Sequence, residues 1–272
     1  MTVDVPARPE AQGRLEAALR AARAAGRKLL VPYVTGGLGD DWVDVLRACA
    51  DAGADAVEVG IPFSDPVMDG PTIQAASQRA LEAGTTPRSV LAGIAESAVD
   101  VPVAVMTYYN LVERAGTRRM AEELARSGVA GAILPDLPLE EAGAWAADAD
   151  AAGVETVLLA APTTPPARLE RLCGRSRGFL YAIGLLGVTG ERDALAASAL
   201  EMARRCKAVT DLPVLVGVGV SDADQARAVC AVADGVIVGS ALVRRLLGGE
   251  GPAGAARFVG ELRAALDAAG TA

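Results

Sequence analysis

No histidine occurs among the 272 residues. The commonest general base and commonest metal ligand are therefore missing, and acid/base chemistry must fall to carboxylates, Tyr, Lys or Cys. Aromatic residues are scarce as well, at 3% against 51% apolar residues overall. A large core must then be built from Ala, Val, Leu and Ile, a composition that favours helices packed on parallel strands. The four cysteines, Cys49, Cys173, Cys206 and Cys230, stand singly inside apolar or helical runs without CxxC spacing, which argues for buried thiols and against a zinc site or redox pair. Positive charge is in deficit, with a formal net charge of −8 and no Lys/Arg-rich run, so nucleic acid and anionic lipid are repelled. No apolar stretch reaches the roughly 18 residues of a membrane span, and the opening MTVDVPARPEAQGRL has no continuous apolar signal-peptide core. A cytoplasmic location is expected.

What is present is an alternation. Short β-branched runs at 29–34, 56–59, 103–106, 131–134, 156–159, 178–183, 214–218 and 235–238 are followed by segments of helical spacing, such as 42–52, 73–83, 140–152 and 222–232. Eight βα units close a barrel, and the length suits one such domain. An open doubly wound sheet would have fewer strands and a glycine-rich fingerprint after the first one. The first strand here ends instead in Thr35-Gly36-Gly37-Leu38-Gly39, which lacks that spacing. Residues 1–12 show little apolar periodicity and read as a flexible tail, and a helix over about 14–25 could cap the barrel floor. The expectation is an α/β fold, a (β/α)8 TIM barrel with an extra N-terminal helix, forming a single domain over 13–272.

In such barrels chemistry sits at the C-terminal ends of the strands. Glu58 lies in the second strand, where period two points it to the opposite face from Val57 and Val59 and so into the barrel. Burial raises a carboxyl pKa toward the range useful for proton transfer, although pairing with an Arg or Lys would make the same residue structural. The strand runs into a long loop dense in Pro, Gly and Asp. Asp65, before Pro66, is explained by turn formation. Asp69 could form an Asp-Gly turn, or the loop could fold over the mouth and bring its carboxylate near Glu58. Glycine-rich turns at 187–190, 217–221 and 239–240 end the last three strands, where backbone N–H groups and a helix N-terminus can hold an anion. The segment 185–197 reads as a mobile lid, with glycines and the charged Glu191-Arg192-Asp193.

The run ADAVEVGIPFSDPVMDGPTIQ, residues 54–74, closely resembles the signature segment of tryptophan synthase α subunits. The likeness extends through Val31-Pro32-Tyr33-Val34-Thr35, Met106-Thr107-Tyr108-Tyr109-Asn110, Leu134-Pro135-Asp136-Leu137-Pro138 and Gly187-Val188-Thr189-Gly190. That family is a (β/α)8 barrel. The resemblance implies retro-aldol cleavage of indole-3-glycerol phosphate to indole and glyceraldehyde 3-phosphate. It makes Glu58 the main acid/base and Asp69 the carboxylate that hydrogen-bonds the indole N–H, with Tyr181 close to the substrate. It assigns Gly190, Gly219, Gly239 and Ser240 to the phosphate, Tyr33 and Met106 to the pocket, and Thr189 to a hydrogen bond with Asp69 on lid closure. No metal or cofactor is implied in this chain. The implied partner is a β subunit carrying pyridoxal phosphate, in an α2β2 assembly that makes L-tryptophan. Gly184-Leu185-Leu186 and Glu113 depart from common members, the first in the lid and the second near a partner-facing loop. Two rival readings share the fold: a free-standing indole-3-glycerol phosphate lyase of secondary metabolism, and a non-catalytic barrel that activates a partner. The presence of both carboxylates argues against the second.

Overall fold

In the computed structural model, which describes residues 5–184, 192–217 and 219–269, the eight β-branched runs pair edge to edge in parallel. They are β1 (Leu29–Thr35), β2 (Val57–Gly60), β3 (Val103–Met106), β4 (Val129–Ile133), β5 (Glu155–Ala160), β6 (Leu180–Ala182), β7 (Val214–Val216) and β8 (Gly235–Val238), and β8 returns to β1 to close the barrel. The expected (β/α)8 architecture is the one observed. Several expected boundaries move, and two of the shifts have a visible local setting. β6 starts at Leu180 rather than 178, because Gly178 adopts φ +75° and Ser176 ties the turn by donating to the Phe179 carbonyl at 2.9 Å. β4 starts two residues early and carries a register shift opposite Val103/Ala104.

Outside the barrel lie α2 (Trp42–Asp51), α3 (Pro71–Glu82), α4 (Pro87–Ser97), α5 (Tyr109–Ala115), α6 (Thr117–Arg126), α7 (Gly143–Ala152), α8 (Pro166–Arg175), α9 (Arg192–Lys207), α10 (Ala223–Cys230), α11 (Ser240–Leu247) and α12 (Gly251–Ala269), with α1 (Arg14–Ala24) preceding the first strand. Residues 192–197, expected in the lid, open α9. Residues 185–191 lie outside the described residues.

Period two along each strand sorts the apolar side chains into two cores. Leu30, Val57, Val59, Val105, Val214 and Val236 point outward and pack with helical residues such as Trp42, Leu46, Leu124, Trp145 and Phe258. Val31, Ala56, Ala104, Val157, Phe179, Leu215 and Ile237 point inward and meet Leu15 and Leu19 of α1. The N-terminal helix therefore plugs the floor, as its apolar spacing suggested. Glu155, the first residue of β5, accepts the Leu15 N–H at 2.6 Å and the Glu16 N–H at 3.1 Å, supplying acceptors that the Gly13 N-cap lacks. All four cysteines are buried and free. Among the described residues, no helix is long and apolar enough to cross a membrane.

Candidate active site

With the floor closed by α1, the cavity opens at the other end, where the strands finish. It holds about 320 Å³ between Glu58 and Asp69 on one side and Gly219, Gly239 and Ser240 on another, with apolar walls that include Ile73, Met106, Leu159 and Ile237.

Glu58 is 1% exposed. Its neighbours Val57 and Val59 are held in the outer core, so the strand pleat aims the carboxyl inward. Its Oε2 is buried without a hydrogen-bond partner in the protein, and no Arg or Lys lines the cavity among the described residues. Among the described residues, then, no cation neutralises it as the structural alternative would require. Burial, reinforced by the nearby negative charge of Asp69, pushes the Glu58 carboxyl up to about 8.

Asp69 reaches the same cavity on the loop after β2. That loop is fastened at its crest: the Tyr108 phenol accepts the Met68 N–H at 3.0 Å and its ring stacks on Phe63 with centroids 5.0 Å apart. At the start of α3, the Gln74 side chain donates to the Asp69 carbonyl at 2.7 Å. Burial raises the Asp69 carboxyl above the usual range, opposed by the Tyr108 phenol beside it. Asp65 is exposed and accepts the Ser64 hydroxyl at 2.5 Å, in keeping with its expected turn role.

Two tyrosines flank the carboxylates. Tyr181 on β6 lies across Gly217, where an added Cβ would stand 2.4 Å from its hydroxyl, and Tyr33 on β1 lies likewise across Gly60. Burial, joined by the charge of Glu58, holds the Tyr181 phenol well above its ordinary pKa. Both side chains line the cavity, and so does Met106.

At the far side, the N-terminus of α11 faces the cavity through Gly239 and Ser240, and Gly219 joins them with a φ of +55° that favours glycine. Free N–H groups of a helix start form an anion site. Gly190 and Thr189 lie outside the described residues. Sequence reasoning gave Tyr108 no role, and it missed Gly60 and Gly217 as the space into which the phenols fit. Only the pairing of distant strands reveals that space. Among the described residues, no group of three or more His, Cys, Asp or Glu is placed to hold a metal. The arrangement suits a ligand with an anionic end and a flat apolar end that must exchange protons with a carboxyl.

Comparison with known proteins gives the same picture. The family model described as tryptophan synthase alpha chain matches residues 19–261. The tryptophan synthase alpha chain of Halorhodospira halophila is 48% identical over 238 residues, covering 86% of this chain and 87% of its own. That of Streptomyces avermitilis is 46% identical over 236 residues, covering 85% of each. Among solved structures, Mycobacterium tuberculosis tryptophan synthase superposes with a TM-score of 0.87 at 40% identity, over 94% of this chain and 99% of that one. The Legionella pneumophila alpha subunit does so at 0.83 and 31%, over 95% and 100%. On its sequence, its closed barrel and its paired carboxylates, the chain belongs to the tryptophan synthase alpha chain family.

Proposed function

We propose that Glu58 and Asp69 are the acid/base pair with which this lyase cleaves indole-3-glycerol phosphate to indole and glyceraldehyde 3-phosphate. The observation that carries the reading is the buried, unpartnered Glu58 carboxyl beside Asp69 in the cavity. A carboxyl held up to about 8 is protonated at neutral pH and can act first as an acid. It gives its proton to C3 of the indole ring, and the positive charge that develops at the ring nitrogen is met by the Asp69 carboxylate, which accepts the indole N–H. Glu58, now ionised, takes the proton of the hydroxyl on the carbon attached to the ring. That oxygen forms the aldehyde carbonyl, the carbon–carbon bond breaks, and its electron pair returns to the ring and neutralises the nitrogen. Glu58 ends protonated, ready for the next turnover.

Tyr181, Tyr33 and Met106 shape the pocket around the ring. Gly219, Gly239 and Ser240 hold the phosphate, with Gly190 assigned to the same anion site and Thr189 to a hydrogen bond with Asp69. The partner that takes up indole is a β subunit, with pyridoxal phosphate on that subunit, an α2β2 assembly and a cytoplasmic setting as the finer parts of the proposal.

The test is indole release from indole-3-glycerol phosphate by the purified chain and its Glu58→Gln variant, each with and without a cognate β subunit. Slow release, accelerated by the partner and reduced at least about a thousandfold by Glu58→Gln, is the expected result. Fast release indifferent to the partner would favour a free-standing lyase, and a variant as active as wild type would sink the mechanism.

A further inference from the structure

The loop that carries Asp69 is held at its base by the Ile61 N–H, which donates to the Met106 carbonyl at 2.9 Å. Over residues 62–68, one hydrogen bond joins the loop to another part of the barrel among the described residues. It runs from the Met68 N–H to the Tyr108 hydroxyl, at 3.0 Å. Phe63, earlier in the same loop, lies against the Tyr108 ring with centroids 5.0 Å apart. Asp69 follows Met68 directly, so the phenol fixes the backbone at the residue before the carboxylate.

Tyr108 is itself bracketed by two backbone anchors. On one side the Thr107 N–H donates to the Ile133 carbonyl of β4 at 3.0 Å. On the other, Tyr109 opens α5, and the N-cap, Tyr108, has no side-chain acceptor to offer the helix start. Asp136, on the loop after β4, supplies one: its two carboxylate oxygens accept the Tyr109 N–H at 2.9 and 3.2 Å. A carboxylate at a helix start satisfies an otherwise unpaired N–H and is stronger than a neutral acceptor. Neither Asp136 nor Tyr108 lines the cavity. The loops after β4, β3 and β2 are nevertheless joined in a line that ends beside Asp69.

We infer that Asp136 and Tyr108 are positioning residues of the lyase reaction: Asp136 seats the start of α5, and Tyr108, held there, fixes the loop so that the Asp69 carboxylate meets the indole N–H. This role rests on the reading of Glu58 and Asp69 given above. Misplacing a reacting group by about 1 Å can cost two orders of magnitude in rate, and loosening the loop that carries it costs a share of that. The proposed phosphate site is built from other loops, so the loss belongs in kcat rather than in KM.

The experiment measures kcat and KM for indole release by wild type, Tyr108→Phe, Asp136→Ala, Asp136→Asn, the double variant Tyr108→Phe with Asp136→Ala, and Glu58→Gln. Each chain is assayed well below its own thermal midpoint, so that folded enzyme is compared with folded enzyme. Tyr108→Phe keeps the ring on Phe63 and removes only the acceptor for the Met68 N–H. Asp136→Ala removes the cap, whereas Asp136→Asn keeps an acceptor oxygen for it. Tyr108→Phe and Asp136→Ala should each lower kcat about tenfold with KM changed less than about threefold. The double variant should fall no more than about threefold below the slower single one, because both changes act through the same contact. Asp136→Asn should recover most of the rate. Either single variant within about twofold of wild type, losses that multiply to about a hundredfold in the double variant, or Asp136→Asn as slow as Asp136→Ala would overturn the assignment. A wild-type chain that releases no indole, or a Glu58→Gln variant of full activity, would instead overturn the carboxylate reading on which it rests.

Discussion

The barrel buries a glutamate at each end, and the two are treated in opposite ways. Glu155 at the floor is fully buried, yet it accepts two backbone N–H groups from the start of α1 and feels the positive charge of Arg177. The charges around it are paired: Glu16 is held by Arg8 at 2.5 Å and Arg20 at 2.8 Å, and Arg175 and Arg177 share Asp150 at 2.8 and 2.9 Å. Glu58 at the mouth is as deeply buried, with an oxygen that nothing in the protein satisfies. A buried polar atom left unpaired costs stability, so it persists where something else fills the need. The floor uses its carboxylate to hold a helix in place; the mouth leaves an oxygen of its carboxylate unpaired, and the proposed acid/base role rests on that difference. This division between a stabilising bottom face and a reacting top face is the one expected of barrels of this kind.

The sharpest way to break the comparison is to make the same change at both ends. Glu58→Gln should remove at least about three orders of magnitude of turnover, whereas Glu155→Gln should leave the turnover of the folded enzyme within about twofold. Equal losses would mean that the floor is coupled to the chemistry.

Stability should separate the two variants next. The Glu58 carboxyl has a folded value of about 8 against an ordinary 4.5, so the folded state binds the proton more tightly than the unfolded chain does. The stability this contributes is fully present below the unfolded value and is lost as pH rises through about 8, on the order of a few kcal/mol. Glu58→Gln cannot ionise. The difference in unfolding free energy between variant and wild type should therefore grow in the variant's favour from pH 5 to pH 9, as urea titrations at several pH values can read. A difference flat across that range would place the Glu58 carboxyl at an ordinary value and remove its claim to act as an acid.

Burial raises the Glu155 carboxyl as well, so the pH trend has the same sign there, and what sets Glu155→Gln apart is a loss of stability from broken contacts. The amide keeps one acceptor oxygen but turns an N–H donor toward a backbone N–H at the start of α1. A loss of about 2 kcal/mol follows from one missing charge-assisted bond and one unsatisfied donor. Limited proteolysis should then cut first near α1, since that helix is what the carboxylate holds.

Much of this was legible in the sequence, because it depends on local periodicity. Eight β-branched runs predicted eight strands, and alternation about Glu58 alone placed it inside. The glycines at 219 and 239 marked strand ends where an anion could sit. Glu155 was not legible. The sequence reading began the fifth strand one residue later, and whether a buried carboxylate is structural or chemical depends on what meets it, here α1, 140 residues away in the chain. The same limit hid the fit of Tyr33 onto Gly60, which belong to different strands and touch only because of the register between β1 and β2. The fastening of the Asp69 loop by Tyr108 was hidden likewise, since it joins the loop after β2 to the end of β3.

The smallest expected effect tests the far side of the cavity. The proposed phosphate site is built mainly from backbone: the N–H groups at the start of α11 and the glycine at 219, none of which a side-chain change at Ser240 removes. Ser240→Ala therefore deletes at most one hydroxyl donor. The phosphate is held alike in ground and transition states, because it does not react. A uniform binding contact of this sort changes KM and leaves kcat alone. KM for indole-3-glycerol phosphate should rise about threefold, the share of one neutral hydrogen bond, with kcat unmoved. A fall in kcat at constant KM would place the Ser240 hydroxyl at the reacting end of the substrate and turn the proposed orientation of the ligand around.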